Sequence, residues 1–234
     1  MRDTEVVAGL HKNSLIDYPG KVSAVVFVSG CNFRCPYCHN PELARGRYPQ
    51  KIPLADVLDF LSRRRALLDG VVITGGEPTL WPHLFAFCRD LKQLKMAVKL
   101  DTNGSRPDVI RQVIQEDLVD YIAMDIKTRP DRYGPPLCDR AEATLVRQSI
   151  GLIMAHARDY EFRTTCVPPF VDEPIMAHIA KEISGARRYI LQPFRPDIVL
   201  DRDYFRDHKG RLSDARIDGL RSIALSDVPA CRIR

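Results

Sequence analysis

Residues 22–40 read Val22-Ser23-Ala24-Val25-Val26-Phe27-Val28-Ser29-Gly30-Cys31-Asn32-Phe33-Arg34-Cys35-Pro36-Tyr37-Cys38-His39-Asn40, an apolar, β-branched run that passes directly into three cysteines within eight residues. The apolar run has the composition and length of a buried strand, and Gly30 opens a loop after it. Three residues separate the first cysteine pair and two the second, so one loop can wrap three corners of a metal cluster. Structural zinc takes four protein ligands, and ordinary iron–sulfur carriers hold a cubane by four thiolates. Three thiolates around a four-iron cluster leave one iron open for another ligand. His39 is a nominal fourth zinc ligand, but it adjoins Cys38, and sequence neighbours reach one tetrahedral ion only with backbone strain. Seven cysteines, an odd number in a chain of 234 residues, argue against a disulfide framework. Cys88, Cys138, Cys166 and Cys231 are scattered and read as small buried hydrophobes.

Outward from this stretch, β-branched apolar runs alternate with helical patterns. Strands are predicted at 22–29, 70–74, 97–102, 121–127, 160–167 and 188–193, and helices at 54–68, 81–95, 107–116, 140–157 and 174–184. Apolar residues recur at three- and four-residue spacing in the helices, as in Val57, Phe60 and Leu61 or Leu84, Phe87 and Leu91. Alternation of this kind predicts an α/β fold, a partial (β/α)6 barrel of parallel strands with helices outside and chemistry at the carboxyl ends of the strands. The expected organisation is one domain over 1–194, with 195–234 as a C-terminal extension packed on it; the last stretch is polar apart from an amphipathic segment near 212–225. Residues 1–5 lack the apolar core of a secretory signal, and no run approaches the about 20 apolar residues that span a bilayer. The expectation is a cytoplasmic protein without a membrane partner. Net charge is +5, with Lys and Arg dispersed and Arg63-Arg64-Arg65 on a solvated helix face, which argues against nucleic-acid binding.

The conspicuous polar residues fall at predicted strand ends. Thr74-Gly75-Gly76-Glu77-Pro78 follows the second strand, Asp101-Thr102-Asn103-Gly104 closes the third, and Asp125-Ile126-Lys127 closes the fourth. Period-two alternation puts Asp101 with Asn103, and Asp125 with Lys127, on single strand faces. On the fifth strand Glu161, Arg163 and Thr165 share a face, read either as a stable Glu–Arg lattice or as a site for carboxylate or ribose recognition. Leu191-Gln192-Pro193-Phe194 ends the sixth.

The cysteine run resembles that of the radical S-adenosylmethionine enzymes, in which the open iron takes the amino and carboxylate groups of S-adenosylmethionine; an aromatic before the third cysteine, here Tyr37, is usual there. The resemblance implies that Cys31, Cys35 and Cys38 hold a [4Fe-4S] cluster and that Gly75, Gly76, Glu77 and Pro78 meet the methionine amino group. By the same resemblance Thr102, Asn103, Asp125, Lys127, Glu161, Arg163 and Gln192 are cofactor contacts, and Asp101, Thr102 and Asp125 bind a monovalent cation. Ser14-Leu15-Ile16-Asp17-Tyr18-Pro19-Gly20-Lys21 and His39-Asn40-Pro41-Glu42-Leu43 are similar to glycyl-radical activases, in particular to the longer form of the anaerobic ribonucleoside-triphosphate reductase activating proteins, with pyruvate formate-lyase activases as more distant relatives. No cysteine lies between 39 and 72, where other activases carry a ferredoxin-like insert.

The activity implied by the resemblance is that of an oxidoreductase that cleaves S-adenosylmethionine reductively to a 5′-deoxyadenosyl radical, which takes hydrogen from a glycine of a partner glycyl-radical enzyme in an anaerobic setting. Flavodoxin or ferredoxin is the implied electron donor. Asp17, placed near the barrel mouth, is expected to grip the partner's glycine loop. The alternatives are an activase of another glycyl-radical enzyme such as pyruvate formate-lyase, a radical enzyme acting on a small molecule as deazapurine carboxy synthases do, a plain electron-transfer protein, and a zinc-stabilised binding module.

Overall fold

The computed structural model describes residues 5–139, 143–206 and 210–234. Six parallel strands form the centre of one sheet: β3 (Ser23–Val28), β5 (Gly70–Gly75), β6 (Ala97–Thr102), β7 (Tyr121–Asp125), β8 (Tyr160–Cys166) and β9 (Tyr189–Pro193). Between them run α2 (Leu54–Arg64), α3 (Leu84–Gln93), α4 (Pro107–Gln115), α5 (Ala143–His156) and α6 (Glu173–Glu182). The expected (β/α)6 alternation is thus present, and the first residues of the helix expected at 140–157, 140–142, lie outside the described residues. The fourth strand stops at Asp125 instead of 127, because the Lys127 amide turns away to the Tyr133 hydroxyl (2.7 Å).

Two further strands extend the sheet, and neither is evident from the sequence pattern. β2 (Gly9–Ser14) pairs antiparallel with β3, and β10 (Cys231–Ile233) adds in parallel beside β9, giving the order β10-β9-β8-β7-β6-β5-β3-β2. β2 is an edge strand whose His11, Lys12 and Asn13 are exposed, so it has no apolar alternation to betray it. A small ribbon of β1 (Val6–Val7) and β4 (Ile52–Pro53) leads into α2, and the short α1 (Pro41–Ala44) follows the cysteine loop. The polar tail forms α7 (Asp214–Ala224), started by the Ser213 hydroxyl accepting from the Arg216 amide, and buries Ile217, Leu220 and Ala224 in the main core.

The core has two parts. Between sheet and helices, residues such as Val26, Ile73, Leu100, Phe87, Ile110 and Ile179 pack in one continuous apolar cluster. On the other sheet face, Tyr18, Val25, Val72, Tyr121 and Ala123 form a small cluster toward the strands' amino-terminal half. Farther along the same face the inward positions turn polar: Lys99, Asp101, Asp125, Glu161 and Arg163. Burying a charge is costly unless it is paired, so this face has to be an ion-pair lattice or a binding site.

Candidate active site

The carboxyl ends of β5 to β9 and the loop after β3 enclose a cavity of about 260 Å³. Cys31, Cys35 and Cys38 line it, together with Tyr37, the turn Gly75 to Pro78, Asp101 to Asn103, Asp125, Lys127, Arg163 and Gln192. The cysteine loop is closed on α1 by backbone bonds, from Gly30 N to the Leu43 carbonyl (2.7 Å) and from Cys31 N to Ala44 (3.2 Å). Arg34 locks the closure: its guanidinium donates to the carbonyls of Cys31 (2.6 Å), Phe33 (3.1 Å) and Ala44 (3.4 Å). Burial pushes the Cys31 thiol up to about 11 and the Cys35 thiol up to about 12. Both therefore carry protons until a metal displaces them.

The Gly-Gly pair is required by packing. Gly75 sits at φ +114°, and a Cβ there would meet the Val28 carbonyl at 2.4 Å. A Cβ on Gly76 would lie 2.0 Å from the Gly30 carbonyl. With both side chains absent, the turn crosses the cysteine loop closely enough for Gly76 N to donate to Val28 (2.8 Å) and Glu77 N to Gly30 (2.8 Å). The Glu77 carboxylate then ties the turn to the end of β6, accepting from Thr79 N (3.0 Å), Thr79 Oγ1 (2.6 Å), Thr102 Oγ1 (2.8 Å) and Asn103 N (2.7 Å). Burial raises this carboxyl above its ordinary range, and the four donors pull it part of the way back. Its side chain is committed to the protein, and what the turn offers the cavity is its backbone.

Across the strand ends runs a chain of alternating charges. Lys99 Nζ meets Asp101 Oδ1 at 2.5 Å, Arg163 NH1 meets Asp101 Oδ2 at 3.2 Å, Arg163 Nε meets Asp125 Oδ1 at 2.7 Å, and Lys127 Nζ meets Asp125 Oδ2 at 2.9 Å. Burial works against the ionised carboxylates, but Arg163 with Lys127 holds Asp125 well below the usual range, and Arg163 with Lys99 lowers Asp101. Burial would likewise lower Lys127, yet Asp125 and Cys35 raise it. A monovalent cation on Asp101, Thr102 and Asp125, as expected from the resemblance, would have to share oxygens that these contacts engage. All four carboxylate oxygens already face protein cations, and the Thr102 hydroxyl donates to Glu77. Of these cations Lys127 and Arg163 line the cavity, among the carboxylates of Glu77, Asp101 and Asp125, and they are the groups suited to an anionic part of a ligand.

Two expected site residues lie elsewhere. Glu161 is buried on the inner face but outside the cavity lining, bonded by the Tyr121 hydroxyl (3.0 Å) and facing Arg234 (3.3 Å), the stable-lattice reading of that strand. Asp17 is not at the mouth. Ser14 pairs with Ser23 at the start of β3, so the 15–22 loop lies at the amino-terminal end of the sheet, opposite the cysteines, and the Asp17 carboxylate accepts from Ser14 Oγ at 2.5 Å. Because β2 runs antiparallel, its following loop is carried to the far end.

The residues present fit an open-site cluster with S-adenosylmethionine. Three thiols face one cavity beside Lys127 and Arg163, and the buried Tyr37 hydroxyl, whose ring lines that cavity, has no hydrogen-bond partner among the described residues. The His39 Nε2 meets the Arg195 carbonyl at 3.0 Å and its ring stacks on Phe194. Among the described residues no three Cys, His, Asp or Glu side chains converge on a single-ion site. The sequence profile of the Radical SAM superfamily matches residues 25–181. The chain belongs to the radical SAM superfamily.

Similarity within the family is specific. A Methanocaldococcus jannaschii protein provisionally named a glycyl-radical enzyme activating enzyme is 37% identical over 208 residues, covering 85% of this chain and 84% of its own length. The pyruvate formate-lyase-activating enzyme of Listeria monocytogenes is 29% identical over 189 residues, 73% of each chain. The crystal structure of Streptococcus suis SuiB bound to its precursor peptide SuiA superposes with a TM-score of 0.66 at 12% identity, covering 90% of this chain and 48% of SuiB, a likeness of fold. This radical SAM enzyme is thus of the glycyl-radical activating group, and the family implies a [4Fe-4S] cluster and S-adenosylmethionine.

Several residues of the radical SAM site carry little or no mark in the sequence. Lys99 has a faint one, since it shares the inward face of β6 with Asp101 two residues on. Arg34 has none, because it binds backbone carbonyls, which any sequence offers, and Asn32 and Ser105 have none because their contact joins segments far apart in the chain. Asn32 Nδ2, for example, reaches Ser105 Oγ at 2.9 Å across 73 positions.

Proposed function

We propose that this protein generates the glycine radical of a partner glycyl-radical enzyme, specifically an anaerobic ribonucleoside-triphosphate reductase. The observation that carries the reading is the meeting of three thiols, the Gly75-Gly76 turn and the Lys127 and Arg163 side chains at one cavity. When bound, the cluster and S-adenosylmethionine supply one-electron cleavage of a carbon–sulfur bond and a hydrogen-abstracting carbon centre. The rest falls to this chain. Cys31, Cys35 and Cys38 would hold the cluster. Backbone of the Gly75-Gly76-Glu77-Pro78 turn receives the amino group of S-adenosylmethionine, and Lys127 with Arg163 balances its carboxylate. Tyr37 and Gln192 complete the wall, and the buried sheet face keeps water from the reacting centre.

The choice of reductase rests on the Ser14–Lys21 and His39–Leu43 segments and on the absence of cysteine between 39 and 72. Asp17 belongs to this reading as a contact for the partner, now from the amino-terminal end of the sheet. A flavodoxin or ferredoxin donor and an anaerobic, cytoplasmic setting go with it. Among the described residues no helix is long and apolar enough to cross a membrane.

The test is electron paramagnetic resonance of the anaerobically reconstituted, reduced protein, with and without S-adenosylmethionine, followed by mixing with the purified reductase. A cluster signal that shifts on adding the cofactor, then a glycine radical on the reductase, is the expected result. An unshifted signal means electron transfer alone. A shifted signal with radical on pyruvate formate-lyase and none on the reductase overturns the partner.

A further inference from the structure

We propose that Asn103 is a positioning residue that couples the Gly75-Gly76-Glu77 turn to the sulfur of Cys31 and sets the reduction potential of the cluster held there. The inference rests on the cluster-binding reading above and adds a role for a side chain otherwise expected to touch the cofactor.

Asn103 is 6% exposed, and its backbone N–H and both polar side-chain atoms are engaged. Its backbone N–H donates to Glu77 Oε2 (2.7 Å) and its Oδ1 accepts from Ser105 N (2.9 Å). The second bond fixes the amide orientation, so that Nδ2 must face the cysteine loop. There its two protons find two acceptors: Asn32 Oδ1 at 3.0 Å and Cys31 Sγ at 3.8 Å. Gly104 holds the turn in place at φ +77°, where a Cβ would meet Met124 Cε at 2.1 Å. One residue thus grips the carboxylate that organises the Gly-Gly turn with its backbone, and a cluster-ligand sulfur with its side chain.

The electrostatic consequence has a definite sign. Reduction adds negative charge to the cluster and its thiolates, so an N–H aimed at a ligand sulfur stabilises the reduced form more than the oxidised and raises the potential. Cys31 receives two such donors, the Phe33 amide (3.3 Å) and Asn103 Nδ2. The first is backbone and present in any sequence. The second is a choice of side chain, and the only one of the two that substitution can remove.

The experiment is an EPR-monitored redox titration of the reconstituted protein without S-adenosylmethionine, comparing wild type, Asn103→Ala, Asn103→Ser and Ser105→Ala. Asn103→Ser keeps an oxygen for the Ser105 amide while removing the donor to sulfur. Ser105→Ala disturbs the Asn32 contact but leaves Asn103 on Cys31. The expected result is a lower midpoint potential in both Asn103 variants and an unchanged one in Ser105→Ala. Wild-type potential in the loaded Asn103 variants overturns the proposal. So does failure of both Asn103 variants to take up iron while Ser105→Ala loads, since the role is then structural. A wild-type protein that itself takes up no cluster overturns the proposed function instead.

Discussion

Both ends of the central sheet are built with paired aspartates and basic residues, but in different surroundings. At the amino-terminal end Asp120 accepts from Lys92 Nζ (2.9 Å), Arg158 (3.0 Å) and the Val98 amide (2.8 Å), while Arg188 (2.5 Å) and Arg187 (3.6 Å) hold Asp159. Arg158 and Arg187 are 67% and 52% exposed there, and water does much of the solvation. At the carboxyl end Lys99 and Arg163 are 1% and 11% exposed, and the protein alone balances the charges. Exposed pairs of this kind contribute at most about 1 kcal/mol, whereas removing one partner of a buried pair costs roughly 3–5 kcal/mol because the other charge is stranded. The first set finishes a structure. The second sets Lys127 and Arg163, held in ion pairs, beside three thiols.

The contrast makes graded predictions. Cys35→Ser, at the buried centre of the carboxyl end, should abolish cluster assembly while leaving circular dichroism unchanged; iron and sulfide analysis checks it, and full iron content would remove the cysteine loop from the site. Gly76→Ala drives a methyl into the Gly30 carbonyl and should cost about 3 kcal/mol, at the upper end for overpacking, read as a fall in chemical-denaturation midpoint. Asp125→Asn should cost a similar amount, about 3 kcal/mol, while Asp159→Asn should cost under about 1 kcal/mol. Equal losses in that pair would erase the distinction between the two ends.

Acid should act mainly through the carboxyl end. Folded Asp101 and Asp125 keep their protons off farther into acid than the unfolded chain does, so the unfolded state binds more protons below about pH 4. Stability is present above that point and is lost as pH falls through it, and Asp125→Asn should flatten this acid limb in pH-dependent denaturation. The smallest effect belongs to Asp17→Ala. Being at the far end, it should leave the cluster signal and cofactor cleavage at wild-type level, and a changed EPR spectrum would contradict its placement.

The central six strands were legible because each is a β-branched run between helical periods, and burial on both faces leaves that mark whatever the tertiary detail. The Cys31, Cys35 and Cys38 spacing, the Gly-Gly-Glu-Pro turn and the strand-end carboxylates were legible for a related reason: a loop that must wrap a cluster, or a turn that must graze another backbone, admits few residue types. β2 and β10 were hidden, being an exposed edge strand and a three-residue strand whose pairing lies entirely with a distant partner.

Local sequence also left open which partner each polar atom would choose. Asp101 and Asp125 have the oxygens of a cation site, and Asp17 the motif of a mouth residue, until the sheet brings Lys99, Arg163 and Lys127 to the first two and the antiparallel β2 carries the third to the opposite end. Periodicity and motif spacing record what a residue must satisfy within a few positions of itself. Charge pairing and strand direction are settled between segments tens of residues apart, where burial makes every unpaired group costly and so selects one arrangement.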